Sequence, residues 1–385
     1  MQTPLRILVV DDSALVRRLL RQLLESDPDV RVVGEAADGH EALAQVVALR
    51  PDLITLDVRM PSMDGVETTR QIMAYHPTPI LVLTATLSSN DVDITLQMLG
   101  AGALDVMEKP RLSDPIALER CRRALLRKVR LLAHVKVVTH LRGRRGLGVG
   151  ARPEPTPVGA NRGRKSAASA DENARRSDVA SARPAMHAYT GAPAFPVVVI
   201  GASTGGPRVL RQLITALPHD FPAAVLVVQH IAQGFSAGLV EWLAPGVALP
   251  VRLAAEGEAL RAGQVLVAPD RLDLLVQPGG LIHLSGLPLL LQRPAIDIVM
   301  QSIAAVYGER AIGVLLTGMG RDGAVGMQAI RRAGGYTIAQ DEASCTIYGM
   351  PRAAVELGAV DAVLPPERIV AALVERLALA ARAHR

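Results

Sequence analysis

Short uninterrupted apolar runs, each followed by apolar residues at helical spacing, recur along this chain and restrict it to a narrow set of folds. Arg6-Ile-Leu-Val-Val10 is the first run, and Leu15, Val16, Leu19, Leu20, Leu23 and Leu24 follow it at helical period. Val30 to Val33, Leu53 to Leu56, Ile80 to Leu83 and Leu104 to Met107 are four more strand candidates, with helical stretches between them. A strand that is apolar on both faces must be covered on both, and the covering helices also return the chain for parallel pairing. Five such units predict a doubly wound parallel sheet whose functional edge lies at the carboxyl ends of its strands. The same pattern returns with Val197 to Ile200, Ala223 to Gln229 and Ala311 to Thr317. The expected fold class is therefore α/β, with two doubly wound parallel-sheet domains.

What separates the two halves is compositional. The net charge of +5 would point toward nucleic acid, but its location argues otherwise. Between Leu141 and Phe195 there are ten Lys or Arg and four Asp or Glu, a surplus of six that leaves the remainder near −1. That segment is rich in Gly, Ala, Ser, Pro and Arg and lacks any period of 2 or 3.6, so it reads as a flexible, solvated linker. The expected domains are 1–125 and 195–385, joined by a helix end and basic linker over 126–194. Aromatic residues make up 2% of the chain, so both cores must be built from Val, Leu, Ile and Ala. That scarcity also speaks against stacking platforms for single-stranded nucleic acid. No apolar run approaches the roughly 18 residues of a membrane helix. The opening Met1-Gln-Thr-Pro-Leu-Arg does not resemble a signal peptide, and Cys121 and Cys345 have neither metal nor disulfide spacing. A cytoplasmic protein without direct membrane insertion is expected.

Chemistry-bearing residues fall at the strand ends. Asp11 and Asp12 end the first run, Asp57 the third and Thr84 the fourth, and Lys109-Pro110 follows the fifth. Three carboxylates in one crevice repel each other and call for a cation, and an all-oxygen set suits Mg²⁺. Asp57 then reads as a nucleophile toward phosphoryl groups, with Lys109 neutralising the incoming oxygens and the Thr84 hydroxyl responding to their arrival. Asp11 and Asp12 as simple helix caps would leave the other three residues unexplained. In the C-terminal half, Gly201-Ala-Ser203-Thr-Gly205-Gly206 lies between a strand and a helix, in the Gly-x-Ser-x-Gly pattern of a nucleophile elbow. His230 follows the second strand there, and Asp322 lies in Gly318-Met-Gly320-Arg-Asp322-Gly323 after another. Parallel strands bring their ends to one edge, so Ser203, His230 and Asp322 can meet as nucleophile, base and orienting acid. Backbone N–H groups of Thr204 and of Gly205 or Gly206 are candidate oxyanion donors. The order Ser, His, Asp differs from that of the α/β-hydrolase fold and predicts a different topology. His219 and His283 lack strand-end placement and read as structural or surface residues, and Met319 as packing.

Gly318 to Gly323 is also a formal G-x-G-x-x-G, with Asp341 and Glu342 about 20 residues on, as in a dinucleotide site. Asp322 inside that loop would repel a pyrophosphate, and a dinucleotide leaves Ser203 and His230 without a role. Asp322 as N-cap of a helix near Ala324 is the plainer alternative. A transcription regulator would need a basic recognition helix, which an alternating strand–helix pattern does not offer. A phosphorylation-dependent binding module with a vestigial triad is the remaining rival.

With those motifs in place, residues 1 to about 125 resemble a response-regulator receiver domain, down to Met60-Pro-Ser-Met-Asp64-Gly65. The C-terminal half resembles the chemotaxis-type protein-glutamate methylesterase and glutamine deamidase family (CheB), including Gln340-Asp-Glu342 and Gly349-Met-Pro351. The resemblance implies a flavodoxin-like receiver and a Rossmann-like catalytic domain. It also implies Mg²⁺-dependent phosphorylation of Asp57 by a histidine kinase, with Asp11 and Asp12 holding the metal and Thr84 and Lys109 switching. It makes Ser203, His230 and Asp322 the triad, with Thr204, Gly205 and Met319 close by and no cofactor in the catalytic domain. The implied substrates are methylated cytoplasmic helices of chemoreceptors. Two features depart from the family: a longer and more basic linker, and Asp273 where a histidine is expected.

Overall fold

The computed structural model describes residues 3–85, 89–110, 114–137, 194–286 and 294–383. The first unit runs β1 (Leu5–Val10), α1 (Ala14–Leu24), β2 (Val30–Ala36), α2 (Gly39–Leu49), β3 (Leu53–Asp57), α3 (Gly65–Tyr75), β4 (Ile80–Thr84), α4 (Ser89–Ala101), β5 (Asp105–Glu108) and α5 (Pro115–Leu132). Its strands form one parallel sheet in the order β2-β1-β3-β4-β5, the reversal lying between β1 and β3. Ile7, Leu8, Val9, Leu53, Ile54 and their neighbours on β4 are sealed from solvent on both faces, which is why these strands read as unbroken apolar runs. Short polar side chains start the helices: Ser13 accepts from the N–H of Val16, Asp38 from Glu41 and Asp64 from Glu67. Most of the linker expected over 126–194 lies outside the described residues.

The second unit contains β6 (Val197–Ala202), α6 (Gly206–Thr215), β7 (Ala224–Gln229), α7 (Ser236–Leu243), β8 (Val251–Leu253), β9 (Val265–Val267), β10 (Asp273–Gln277) and β11 (Leu281–Ser285). It continues with α8 (Ile296–Tyr307), β12 (Ala311–Leu315), α9 (Ala324–Arg332), β13 (Tyr336–Gln340), α10 (Met350–Glu356), β14 (Ala362–Leu364) and α11 (Pro366–Ala383). Seven of these strands form a parallel sheet, β14-β13-β12-β6-β7-β9-β8, and β10 and β11 form a separate antiparallel hairpin. β6 lies between β12 and β7, with Leu315 opposite Gly201 and Ala202 opposite Gln229. The loops leaving these three central strands therefore emerge side by side, as the doubly wound reading requires. The hairpin is an addition to the expected pattern: its alternating residues cover one face of the core rather than extending the sheet.

The two units touch along α4. Val92 lies against Gly238 of α7, Gly100 against the Trp242 ring, and Leu96, Leu99, Phe235, Leu239 and Leu243 join one buried apolar cluster. No described helix is long and apolar enough to cross a membrane.

Candidate active site

At the carboxyl end of the first sheet, the oxygens of Asp11, Asp12 and Asp57 lie within 4.8 Å of one another. Asp11 is fully buried and Asp12 exposed, so one side of the cluster faces the interior and the other water. Lys109 Nζ stands 2.6 Å from Asp11 Oδ2 and 2.9 Å from Asp57 Oδ2. Burial pushes the Asp57 carboxyl above its ordinary range, and the neighbouring Asp11 adds to this while Lys109 opposes it. Burial alone would lower the Lys109 ammonium, but its two carboxylate partners hold it above its usual value. Thr84, buried at the end of β4, lines the same cleft with Arg59 and Asp91. The five residues singled out at these strand ends are thus brought together. Arg59, paired with Asp91 on α4, is an addition that no spacing rule reveals.

The second edge is built the same way. Ser203 directly follows β6 and His230 directly follows β7, where the His230 N–H donates to the Ala202 carbonyl at 2.9 Å. The buried Gln229 carboxamide ties the two loops together, its Nε2 donating to the carbonyls of Ser203 (2.9 Å) and His230 (2.7 Å). Across the ring, His230 Nε2 meets Asp322 Oδ2 at 2.7 Å. Asp322 is not the cap of the helix that follows it, since α9 starts from Gly323 without a side-chain cap. Its carboxylate instead accepts the N–H groups of Ile296 (2.8 Å) and Asp297 (2.9 Å), at the start of α8. Burial opposes ionisation of Asp322, but the bond from His230 and these N–H groups outweigh it and hold the carboxyl below its ordinary range. An ionised Asp322 only accepts, so the ring proton sits on Nε2 and Nδ1 is left as the basic nitrogen. Nδ1 is buried and has no hydrogen-bond partner among the described residues.

Ser203 is half-buried, and its own N–H donates to the Thr317 carbonyl at 3.0 Å. The half-buried Met319 belongs to a loop that abuts the serine: a Cβ on Gly318 would stand 2.7 Å from Ser203 Cβ. Gly205 adopts a left-handed φ of +77°, and a Cβ there would strike Thr346 Oγ1, so the turn requires glycine. The Gly206 N–H is used by the Ser203 carbonyl at 2.8 Å, which removes it from the oxyanion candidates. Two further groups face the receiver unit: Gly205 N–H donates to the Leu104 carbonyl at 3.2 Å, and Thr204 Oγ1 to Asp105 Oδ2 at 2.6 Å. Asp105 is also paired with Lys128.

Sequence reasoning missed Asp297, whose Oδ1 accepts the Gly326 N–H of α9 at 2.7 Å while burial and the adjacent Asp322 raise its carboxyl. It also missed the buried polar groups that hold the loops, Gln229 and Thr317. His219 and His283 are surface residues, the latter beside Glu256 at 3.1 Å. Burial pushes the Cys345 thiol up to about 12, with Asp341 adding to the shift, so it is not a nucleophile near neutral pH.

Comparison with known proteins identifies the family. The CheB methylesterase family profile matches residues 198–373, and the response regulator receiver domain profile matches residues 7–118. "Protein-glutamate methylesterase/protein-glutamine glutaminase 2" of Anaeromyxobacter dehalogenans is 45% identical over 373 residues, covering 97% of each chain. A protein of the same description from Syntrophus aciditrophicus is 42% identical over 372 residues, covering 96% of this chain and 98% of that one. Among solved structures, the Thermotoga maritima CheB methylesterase catalytic domain is 39% identical, with a TM-score of 0.46, covering 48% of this chain and 99% of that chain. The response regulator domain of the same organism's CheB is 37% identical, with a TM-score of 0.32, covering 34% and 98%. Full-length identity of this order, with a receiver ahead of a methylesterase domain, makes this chain a member of the protein-glutamate methylesterase/protein-glutamine glutaminase family, a hydrolase carrying a response-regulator receiver.

Proposed function

We propose that this chain is a phosphorylation-activated hydrolase that removes methyl groups from glutamate γ-methyl esters on the cytoplasmic helices of chemoreceptors and deamidates receptor glutamines. The observation that carries the reading is the His230–Asp322 bond beside the Ser203 loop, with Asp322 kept ionised at the start of α8. Nδ1 takes the Ser203 hydroxyl proton as the oxygen attacks the ester carbon, while Asp322 stabilises the imidazolium. Nδ1–H then protonates the departing methoxide, methanol leaves, and an acyl-enzyme remains on Ser203. Water, activated by the same nitrogen, releases the glutamate carboxylate. A glutamine side chain follows the same route with ammonia as leaving group. An amine needs protonation more than methoxide does, so deamidation is the slower reaction.

The receiver supplies the gate. Leu104 and Asp105 engage the two residues after Ser203, so a docked receiver covers the reacting edge. Asp11, Asp12 and Asp57 fit Mg²⁺ as a hard, all-oxygen donor set with one solvent-facing member. Bound Mg²⁺ supplies the charge neutralisation that lets a phosphoryl group approach Asp57. The phosphodonor is a histidine kinase of a chemosensory system, and phosphoryl charge on Asp57 competes with Asp91 for Arg59. α4, which carries Asp91 and packs against α7, loosens as a result. The setting is cytoplasmic, with no role for nucleic acid.

The test is methanol release from a methyl-labelled chemoreceptor, with and without phosphorylation of Asp57. Release that rises with phosphorylation is expected. A chain that binds the receptor but releases no methanol in either state would be a binding module instead.

A further inference from the structure

Beside the Thr204 N–H, three N–H groups around the nucleophile have backbone partners. Ser203 N–H is committed to the Thr317 carbonyl and Gly206 N–H to the Ser203 carbonyl. Gly205 N–H points away from its own loop and reaches a carbonyl from the other unit, that of Leu104, at 3.2 Å. A donor that reaches a carbonyl oxygen from outside the loop is geometrically open to a substrate's carbonyl once the receiver leaves.

What aims this donor is Thr317. In a trans peptide the C=O and the following N–H point in opposite directions, so fixing one fixes the other. The Thr204 carbonyl accepts the Thr317 hydroxyl at 3.0 Å, in the interior, a shorter contact than the 3.3 Å from the same hydroxyl to the Ile347 carbonyl. Thr317 is itself held on three sides. Its N–H donates to Gln340 Oε1 at 2.8 Å, its Oγ1 accepts the Ile347 N–H at 3.0 Å, and its carbonyl takes the Ser203 N–H. Gln340 in turn donates to the Ser344 carbonyl at 3.0 Å. Thr317 and Gln340 are both 0% exposed, so no water competes for these bonds.

We propose that Thr317 is a positioning residue for the reaction: its hydroxyl fixes the Thr204–Gly205 peptide so that Gly205 N–H receives the oxyanion. This rests on the reading of Ser203 as nucleophile. Thr317 touches no substrate, and acts only through the peptide it holds.

The test uses the full chain, activated on Asp57 by beryllofluoride with Mg²⁺, and methyl-labelled receptor. Thr317→Val removes the hydroxyl at nearly constant volume. It should lower kcat for methanol release about tenfold to a hundredfold, on the scale of a lost oxyanion donor, while KM changes less than about threefold. Thr317→Ser restores the hydroxyl and should return kcat to within about threefold of wild type. A valine variant with wild-type kcat, or a serine variant as slow as the valine one, overturns the proposal. A measurement on the wild type covers the case in which the valine variant does not fold. With ¹⁵N-glycine labelling, attachment of a boronic acid to Ser203 should move the Gly205 amide proton downfield, and an unmoved Gly205 resonance overturns the proposal. Ser203→Ala separates the two levels of the argument. If it stays active, the nucleophile assignment fails; if it is dead while Thr317→Val is fully active, only the role of Thr317 fails.

Discussion

Asp322 and Asp297 cap each other's helices: Asp322 takes the N–H groups that open α8, and Asp297 takes one near the start of α9. The two carboxyls are pushed in opposite directions, Asp322 down and Asp297 up, because only Asp322 has the His230 ring as a partner. Asp322→Asn keeps the shape but can donate to Nε2, favouring the wrong tautomer. It should lower kcat for methanol release by about 10³- to 10⁴-fold with the fold intact, as judged by unchanged circular dichroism. Asp297 has a stability signature instead. A carboxyl whose folded pKa is raised contributes stability below its ordinary value, near 3.8, that is lost as pH rises through the folded value. Removing it also lets Asp322 ionise more readily, which acts in the same direction. The Tm of Asp297→Asn relative to wild type should therefore rise between about pH 4 and pH 7. A difference that falls over that range contradicts the assignment. The placement of Ser203, His230 and Asp322 at neighbouring strand ends was legible because each directly follows an apolar run or lies in a glycine motif after one. Asp297, Gln229 and Thr317 were not, because what they do depends on backbone groups brought near only by folding.

α4 touches both the first sheet's cleft and the second unit, and in the proposed gate it couples the two sheets. One end pairs Asp91 with Arg59 beside the carboxylate cleft, and its far end lies on Trp242. The turn after it delivers Leu104 and Asp105 to the serine loop. Asp105→Ala removes the bond to Thr204 Oγ1, and a hydrogen bond of this kind contributes about 1 kcal/mol net. The docked state then loses roughly fivefold in population ratio, and methanol release by the unphosphorylated chain should rise by a similar factor. Unchanged basal release would mean that this turn does not hold the receiver in place. Whereas β8, β9, β13 and β14 were not read, the five strands of the first half and the three central strands of the second followed from apolar runs. The docking did not, because the residues that form it are ordinary apolar residues and glycines whose partners belong to a different fold unit. The β10–β11 hairpin was equally hidden, since its strands carry polar residues among the apolar ones instead of the unbroken apolar runs that marked the central strands of that half.

At the scale of the whole molecule, the two sheets repeat one design: chemistry at the carboxyl ends of parallel strands, carboxylates in one and a hydroxyl, a ring and an acid in the other. In the proposed function they are joined so that the first governs access to the second. Chelating divalent cations should therefore abolish the stimulation of methanol release by a phosphodonor and leave the basal rate unchanged. Loss of the basal rate as well would place a metal in the esterase chemistry itself. The scarcity of aromatic residues pointed to aliphatic cores, which both units have, whereas the way they face each other had to be seen. The central claim is that Ser203 performs the hydrolysis, and the most direct measurement compares wild type with Ser203→Ala, each phosphorylated on Asp57 to the same extent, for methanol release from methylated receptor. The account predicts release only from wild type. Comparable release from the alanine variant would contradict it.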